Sequence, residues 1–155
     1  MIDHQTPSGF FDTQMRRSRL AIAAPAWLGT RFVAHGNKRG AGVDCVHLCA
    51  EIYLECGLFE AYEFPKYTLD AGAHRDTSMT LEWIVRSGRF QSVTTPQAGD
   101  LVVFKFKKVA HHVGLMLTSQ LFVHIMERRQ VETALIDDPT FKHALSHVYR
   151  PMEAA

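Results

Sequence analysis

The chain has 155 residues, 46% hydrophobic and 21% charged, with a formal net charge of +1. That length suits one domain, 1–155, with a proper core. The balanced charge excludes a polyanion binder, and the short basic runs Arg16-Arg17-Ser18-Arg19 and Lys105 to Lys108 read as solvated faces, so no nucleic-acid partner is expected.

Three cysteines, Cys45, Cys49 and Cys56, are too few for a disulfide scaffold, and their spacing is not a usual zinc pattern. No apolar run approaches transmembrane length, so no membrane insertion is expected. Arg16 to Ala26 mimics a signal peptide, but its charges come late and Pro25 interrupts its apolar core.

In chain order, Met1 to Phe11 reads as a loose arm, with residues 1–12 outside the core. A helix is expected from about Thr13 to Ala24, packing Met15, Leu20, Ile22 and Ala23 inward. Trp27 to Phe32 connects it to a Gly-rich run, Gly36 to Gly42. Cys45, Leu48, Cys49, Ile52 and Cys56 then recur at helical spacing. Asp44 is a good N-cap and Gly57 a C-terminal stop. Cys45 therefore falls in the first turn, where unpaired N–H groups and the helix dipole lower a thiol's pKa. Cys49 and Cys56 read as core residues.

Leu58 to Ala73 reads as an irregular surface segment, and Ser78 to Ser87 as a second helix. Phe10, Phe11, Tyr62 and Phe64 are expected to be exposed and available for docking. Thr94 to Asp100 is turn chemistry. Strands are expected at Leu101 to Lys107, His112 to Leu117, Leu121 to Met126 and Gln130 to Ile136. In the first of these, Val102, Phe104 and Phe106 would face one side and lysines the other. Pro139 to Leu145 reads as a short helix and His147 to Tyr149 as a last strand. Helices first and an antiparallel meander second give an α+β domain.

Cys45, His112 and His124 point to thiol chemistry. A nucleophilic thiol needs a base within hydrogen-bond reach, and the base needs a third group to fix its ring. Hairpin arithmetic allows this. A Leu117–Ser119 loop sets His112 opposite His124. A Thr118–Gln120 loop sets Gly114 there and makes His112 a diagonal neighbour on the same face. A two-residue loop would part the histidines.

The order of Gly-rich loop, Asp44-Cys45 helix, Gly99-Asp100-Leu101-Val102 strand, His112-Val113-Gly114 strand and Phe122-Val123-His124 strand resembles the NlpC-type cell-wall cysteine peptidases. The resemblance runs from about Trp27 to Tyr149 and implies a papain-like α+β fold. It makes Cys45 the nucleophile, His112 the base and His124 the polar third residue. It also implies cleavage of the γ-D-glutamyl–diamino acid bond of a peptidoglycan stem peptide, with no metal or organic cofactor. Trp27-Leu28-Gly29-Thr30 followed by Lys38 to Cys45 is similar to the phage-borne branch. That implies tail-tip proteins as partners and the virion tail tip as location.

Asp44, Phe32 and His47 are the candidates for the oxyanion region and substrate cleft. Many relatives carry a Tyr where Phe32 stands, and Phe32 has no hydroxyl to donate, whereas the Cys45 N–H remains a donor. His47 replaces a usual Gly. It either narrows the cleft or sits on the exposed helix face, and we favour the second. Two alternatives stay open beside the endopeptidase: a tail-tip adaptor with weak or no catalysis, and a papain-like amidase or acyltransferase.

Overall fold

The computed structural model describes residues 8–63, 82, 86–106 and 111–154. The chain folds from Ser8 onward. A 3-10 turn, Phe10–Asp12, precedes helix α1, Gln14–Ala23. Asp12 Oδ2 accepts the Gly9 N–H at 2.8 Å, and Thr13 caps α1 through the Arg16 N–H. Phe10 and Phe11 are buried and meet edge to face, with the Arg16 guanidinium over the Phe10 ring. Gly9 bridges to Met152, and Arg16 pairs with Glu153. The loose-arm reading therefore fails for residues 8–12, and Phe10 and Phe11 are core rather than docking aromatics. Two aromatic side chains removed from water outweigh the cost of ordering a short segment.

In α1, Leu20 and Ala23 face inward, and Ala24 and Trp27 continue that stripe at helical spacing. Met15 and Ile22, expected inside, are 79% and 77% exposed. A short hairpin, β1 (Asn37–Lys38) with β2 (Gly42–Val43), then leads into α2, Cys45–Glu55. The expected caps hold: Asp44 accepts the His47 N–H, and Gly57 takes a left-handed φ of 85°.

Leu58 is buried, and Phe59 and Tyr62 are half-buried. Phe64 lies outside the described residues. So does most of the helix expected at Ser78 to Ser87, of which Glu82 and Arg86 are helical.

The sheet has six antiparallel strands: β3 Phe90–Val93, β4 Leu101–Lys105, β5 His111–Met116, β6 Leu121–His124, β7 Glu132–Leu135 and β8 Leu145–Pro151. Their order is β3-β8-β4-β5-β6-β7. The meander from β4 to β7 follows the sequence reading. The strand β3 and the insertion of β8 between β3 and β4 do not. Helix α3, Pro139–Ala144, is capped by Asp138.

Both faces of the sheet are covered. Leu101, Val103, Val113, Leu115, Val123 and Ile125 pack toward α1 and α2. On the opposite face Val102, Phe104, Met116, Phe122 and Val148 form a second cluster, against which Phe141 of α3 packs. Leu101 and Val103 thus bury the side expected to carry lysines, and within β4 only Lys105 is exposed. A strand buried on both faces loses the alternation that marks a half-buried one.

The turn before β4 is tied at three points. Tyr53 of α2 donates to the Gly99 carbonyl at 2.8 Å. Gly99 has a φ of 92°, and a Cβ there would lie 2.2 Å from the Phe11 ring, so only glycine fits. Asp100, 1% exposed, accepts two bonds from Arg150 of β8, at 3.0 and 2.8 Å, and the Gln97 N–H at 2.8 Å. Burial pushes the Asp100 carboxyl above its ordinary range, and Arg150 and the N–H pull it partly back. Removing the cation leaves a buried charge without its partner. Arg150→Met is expected to cost on the order of 3 kcal/mol in urea unfolding. An unchanged midpoint would mean that the pair does not hold β8 to the turn.

Candidate active site

The site is assembled at the N-terminus of α2. Asp44 is extended, with φ −106° and ψ 176°, and 1% exposed. Its Oδ1 accepts the His47 N–H at 2.8 Å and lies 2.7 Å from His47 Nδ1. Its Oδ2 accepts the His35 N–H at 2.9 Å, holding His35 in a left-handed turn of φ 63°. One carboxylate thus fixes the loop before the helix, the helix start and the His47 ring. The side chain of His47 is only 13% exposed. That corrects the reading that set it on the exposed face, because the i,i+3 position returns the ring to the capping carboxylate.

Cys45 is the first residue of α2, and the residue is partly open to solvent. The backbone N–H dipoles of Val113, Val46 and Cys45 itself favour the thiolate and lower the thiol pKa. Burial and the charge of Asp44 act more strongly, and the thiol is pushed up to about 12. The expected lowering at the helix start is present but overcome. Cys49 and Cys56 are buried free thiols deeper along the helix, as core residues should be.

The histidines come from β5 and β6. Leu115 pairs with Val123 and Met116 with Phe122, which leaves Thr118–Gln120 as the loop. Thr118 Oγ1 accepts the Gln120 and Leu121 N–H groups and closes it. This is the second of the two allowed registers. His112 and His124 share the face away from α2, and His112 Nε2 lies 2.8 Å from His124 Nδ1.

The rings sit among aromatics. His112 lies against Phe104 and Phe106, and His124 against Phe122 and Phe141. Burial lowers His112 to about 3, with a further contribution from His124. Burial also lowers His124, to about 4, and Glu132 opposes that in part. Both rings are neutral at neutral pH, so one ring nitrogen of the pair donates and the other accepts.

The thiol lies on the α2 side of the sheet and the imidazoles on the opposite side, so the structure joins His112 to His124 and shows no contact between either ring and Cys45. Ladder pairing between β5 and β6 stops at Leu115 and Val123. Just past that end, the Val113 backbone favours the thiolate form of Cys45. Val113 is the neighbour of His112 in the chain. It is the residue of this site that sequence reading missed, because a backbone donor leaves no mark on side-chain type. Phe32 is half-buried, bridges in parallel to Val43 and packs against the cluster that also receives Cys45. Among the described residues no group of three His, Cys, Asp or Glu side chains could hold a metal ion. No described helix is long and apolar enough to cross a membrane.

Residues 29–150 match the NlpC/P60 family. A search of curated proteins found no match. Among solved structures, the chain is similar to a lipoprotein-like NLP/P60 family protein of Staphylococcus aureus, with 17% identity and a TM-score of 0.66 over 97% of this chain and 45% of that one. An NlpC/P60 family protein of Bacillus cereus gives 20% identity and a TM-score of 0.63 over 88% of this chain and 40% of that one. The NlpC/p60 domain of the peptidoglycan hydrolase SagA gives 19% identity and a TM-score of 0.55 over 85% and 96%. The chain thus spans less than half the length of the first two. At these identities the likeness speaks for the fold, an α+β fold with N-terminal helices on a six-stranded antiparallel sheet.

The buried imidazoles make stability depend on pH. Their folded pKa values lie below the free value of 6.5, so the unfolded chain binds more protons as pH falls. Their contribution is complete above about pH 6.5 and is lost as pH drops toward 4. Melting temperatures between pH 7 and 4 are expected to fall, and to fall less steeply for His124→Gln. Parallel curves for the two proteins would remove the imidazole pair as the cause.

Proposed function

The chain belongs to the NlpC/P60 family, whose members are typically cysteine peptidoglycan hydrolases, and from that premise we propose that it is an endopeptidase cleaving the γ-D-glutamyl–diamino acid amide of a stem peptide through an acyl-enzyme on Cys45. The observation that supports the reading is the 2.8 Å contact between His112 and His124, on a hairpin that shares a core with Cys45.

The chemistry follows from the proton positions. With His112 Nε2–H donated to His124 Nδ1, His112 Nδ1 keeps its lone pair and is the base. Thiol and imidazole are both neutral at rest, so the proton moves as the sulfur attacks the amide carbonyl. In this reading the Cys45 N–H is the donor to the developing oxyanion. Collapse breaks the C–N bond, and the amine leaves with the proton from His112. Water then gives a proton to His112 and attacks the thioester. The carboxylic acid departs and the thiol is restored.

Cys45→Ser is expected to abolish hydrolysis of purified sacculi while keeping the melting temperature, whereas Cys49→Ala and Cys56→Ala retain turnover. Full activity in Cys45→Ser would end the enzyme reading. His124→Gln keeps an acceptor for the His112 N–H and is expected to retain measurable turnover. His124→Leu removes it and is expected to lose on the order of 10²-fold. Equal rates for the two would remove His124 as the ring-holding group.

We further propose that the protein acts at a phage tail tip, on the Trp27-Leu28-Gly29-Thr30 run and the Lys38–Cys45 loop. Mass spectrometry of purified particles is expected to find it, and its occurrence only as free protein in the lysate would count against this. A second reading, an assembly module with weak catalysis, is favoured by the absent hydroxyl at Phe32 and by the high thiol pKa. The sacculus assay separates the two.

A further inference from the structure

Arg31, Phe32, Arg128, Arg129 and Gln130 line an open groove of about 510 Å³, within the ~300–1,000 Å³ of small-ligand sites. Its walls are cross-braced. Arg31 bridges to Gln130, the Phe32 N–H donates to the Arg129 carbonyl at 2.9 Å, and the Val131 N–H donates to the Thr30 carbonyl at 2.8 Å. Arg128 sits in the β6–β7 turn with φ 66°, a conformation that a non-glycine residue seldom adopts. Such outliers persist where the surrounding structure over-determines them.

The groove's charge is one-sided. Arg129 pairs with Glu132 at 3.3 Å. Arg31 and Arg128 have no ion pair among the described residues. Two guanidiniums on a braced backbone suit a carboxylate, which they grip through paired N–H donors. The groove also lies near the thiol. Phe32 bridges to Val43, two residues before Cys45. Adjacent strands lie ~5 Å apart and successive Cα atoms ~3.8 Å, which sets Phe32 within about 13 Å of Cys45 along the backbone path.

We propose that this groove is a subsite for a free carboxylate of the stem peptide, held by Arg31 and Arg128. The proposal rests on the endopeptidase reading for its ligand. A γ-glutamyl linkage uses the side-chain carboxyl and leaves the α-carboxylate free, and the diamino acid carries its own. Phe32, without a hydroxyl, supplies an apolar wall for the methylenes between the reacting carbonyl and that anion.

The test uses synthetic stem peptides in four forms: both carboxylates free, the glutamyl α-carboxylate amidated, the diamino acid carboxylate amidated, and both amidated. Calorimetric binding to Cys45→Ala and hydrolysis by the wild-type chain are measured for each. Amidating one of the two is expected to weaken binding 10- to 100-fold, and which one matters identifies the carboxylate. Arg31→Gln/Arg128→Gln, built on Cys45→Ala with its melting temperature checked, is expected to bind all four forms equally weakly. Arg31→Gln alone gives a partial loss should the double variant not fold. Arg86→Gln, at an exposed arginine outside the groove, should change little.

The subsite is overturned if the double variant still discriminates, if it weakens the doubly amidated peptide by the same factor, or if no peptide binds. It is also overturned in favour of a polyanion site if inorganic polyphosphate binds more tightly than any peptide and is lost in the same variant. Discrimination in binding without hydrolysis sinks the endopeptidase reading and leaves the subsite standing. Hydrolysis without discrimination does the reverse.

Discussion

The carboxylate of Asp44 is the constraint on which the site depends. It is buried and receives N–H groups from the turn before the helix, from the helix start and from the His47 ring. A buried charge is tolerated only when it is fully hydrogen-bonded, so these groups cannot move independently. They set where α2 begins, and the beginning of α2 sets where the sulfur lies. The same charge works against ionising that sulfur. Moving a thiol from 9.0 to about 12 corresponds to roughly 4 kcal/mol against the thiolate, whereas a helix N-terminus supplies at most about 2 kcal/mol in its favour. Burial first, and the Asp44 charge second, therefore keep the Cys45 thiol protonated.

That balance decides the chemistry open to the pair. A preformed thiolate–imidazolium pair would need the imidazole to hold a proton, and burial among Phe104, Phe106, Phe122 and Phe141 keeps both rings neutral. In the proposed reaction, proton transfer would then accompany attack, and the 2.8 Å contact with His124 would carry more weight than in a charged pair. A neutral imidazole can act as a base only through a ring nitrogen that keeps its lone pair. In the proposed reading, an acceptor on His124 leaves that lone pair on His112 Nδ1.

Much of this was legible in the sequence where the signal is local. Asp44 and Gly57 bounded α2, and the two-residue period with a three-residue loop put the histidines on one face. What was not legible is mostly non-local. β8 enters between β3 and β4 through an ion pair spanning Asp100 and Arg150, and nothing near Arg150 in the chain announces Asp100. Phe10 and Phe11 occupy a segment too short to show a period, and their burial depends on Tyr53 and Gly99. In α1, alanines at positions 21, 23 and 24 blur the stripe, so Met15 and Ile22 passed for core. The thiol pKa was misread because a helix start is visible in sequence, whereas burial is a property of everything packed around it.

The site also joins two parts of the chain that are far apart in sequence. The proposed nucleophile and its cap come from residues 44–47, and the imidazoles from a hairpin more than sixty residues later. The two meet only because Val46, Cys49 and Ile52 share a core with Val113, Leu115 and Val123. Within β5, successive side chains serve different layers. Val113 and Leu115 belong to the core under α2, whereas His112 and Met116 face the opposite layer. Gly114 lies between them, and a Cβ there would press on Phe122 at 2.7 Å. A one-residue slip of β5 would exchange the layers and carry His112 away from His124. Packing on both faces of one strand is therefore what fixes the register on which the paired histidines depend.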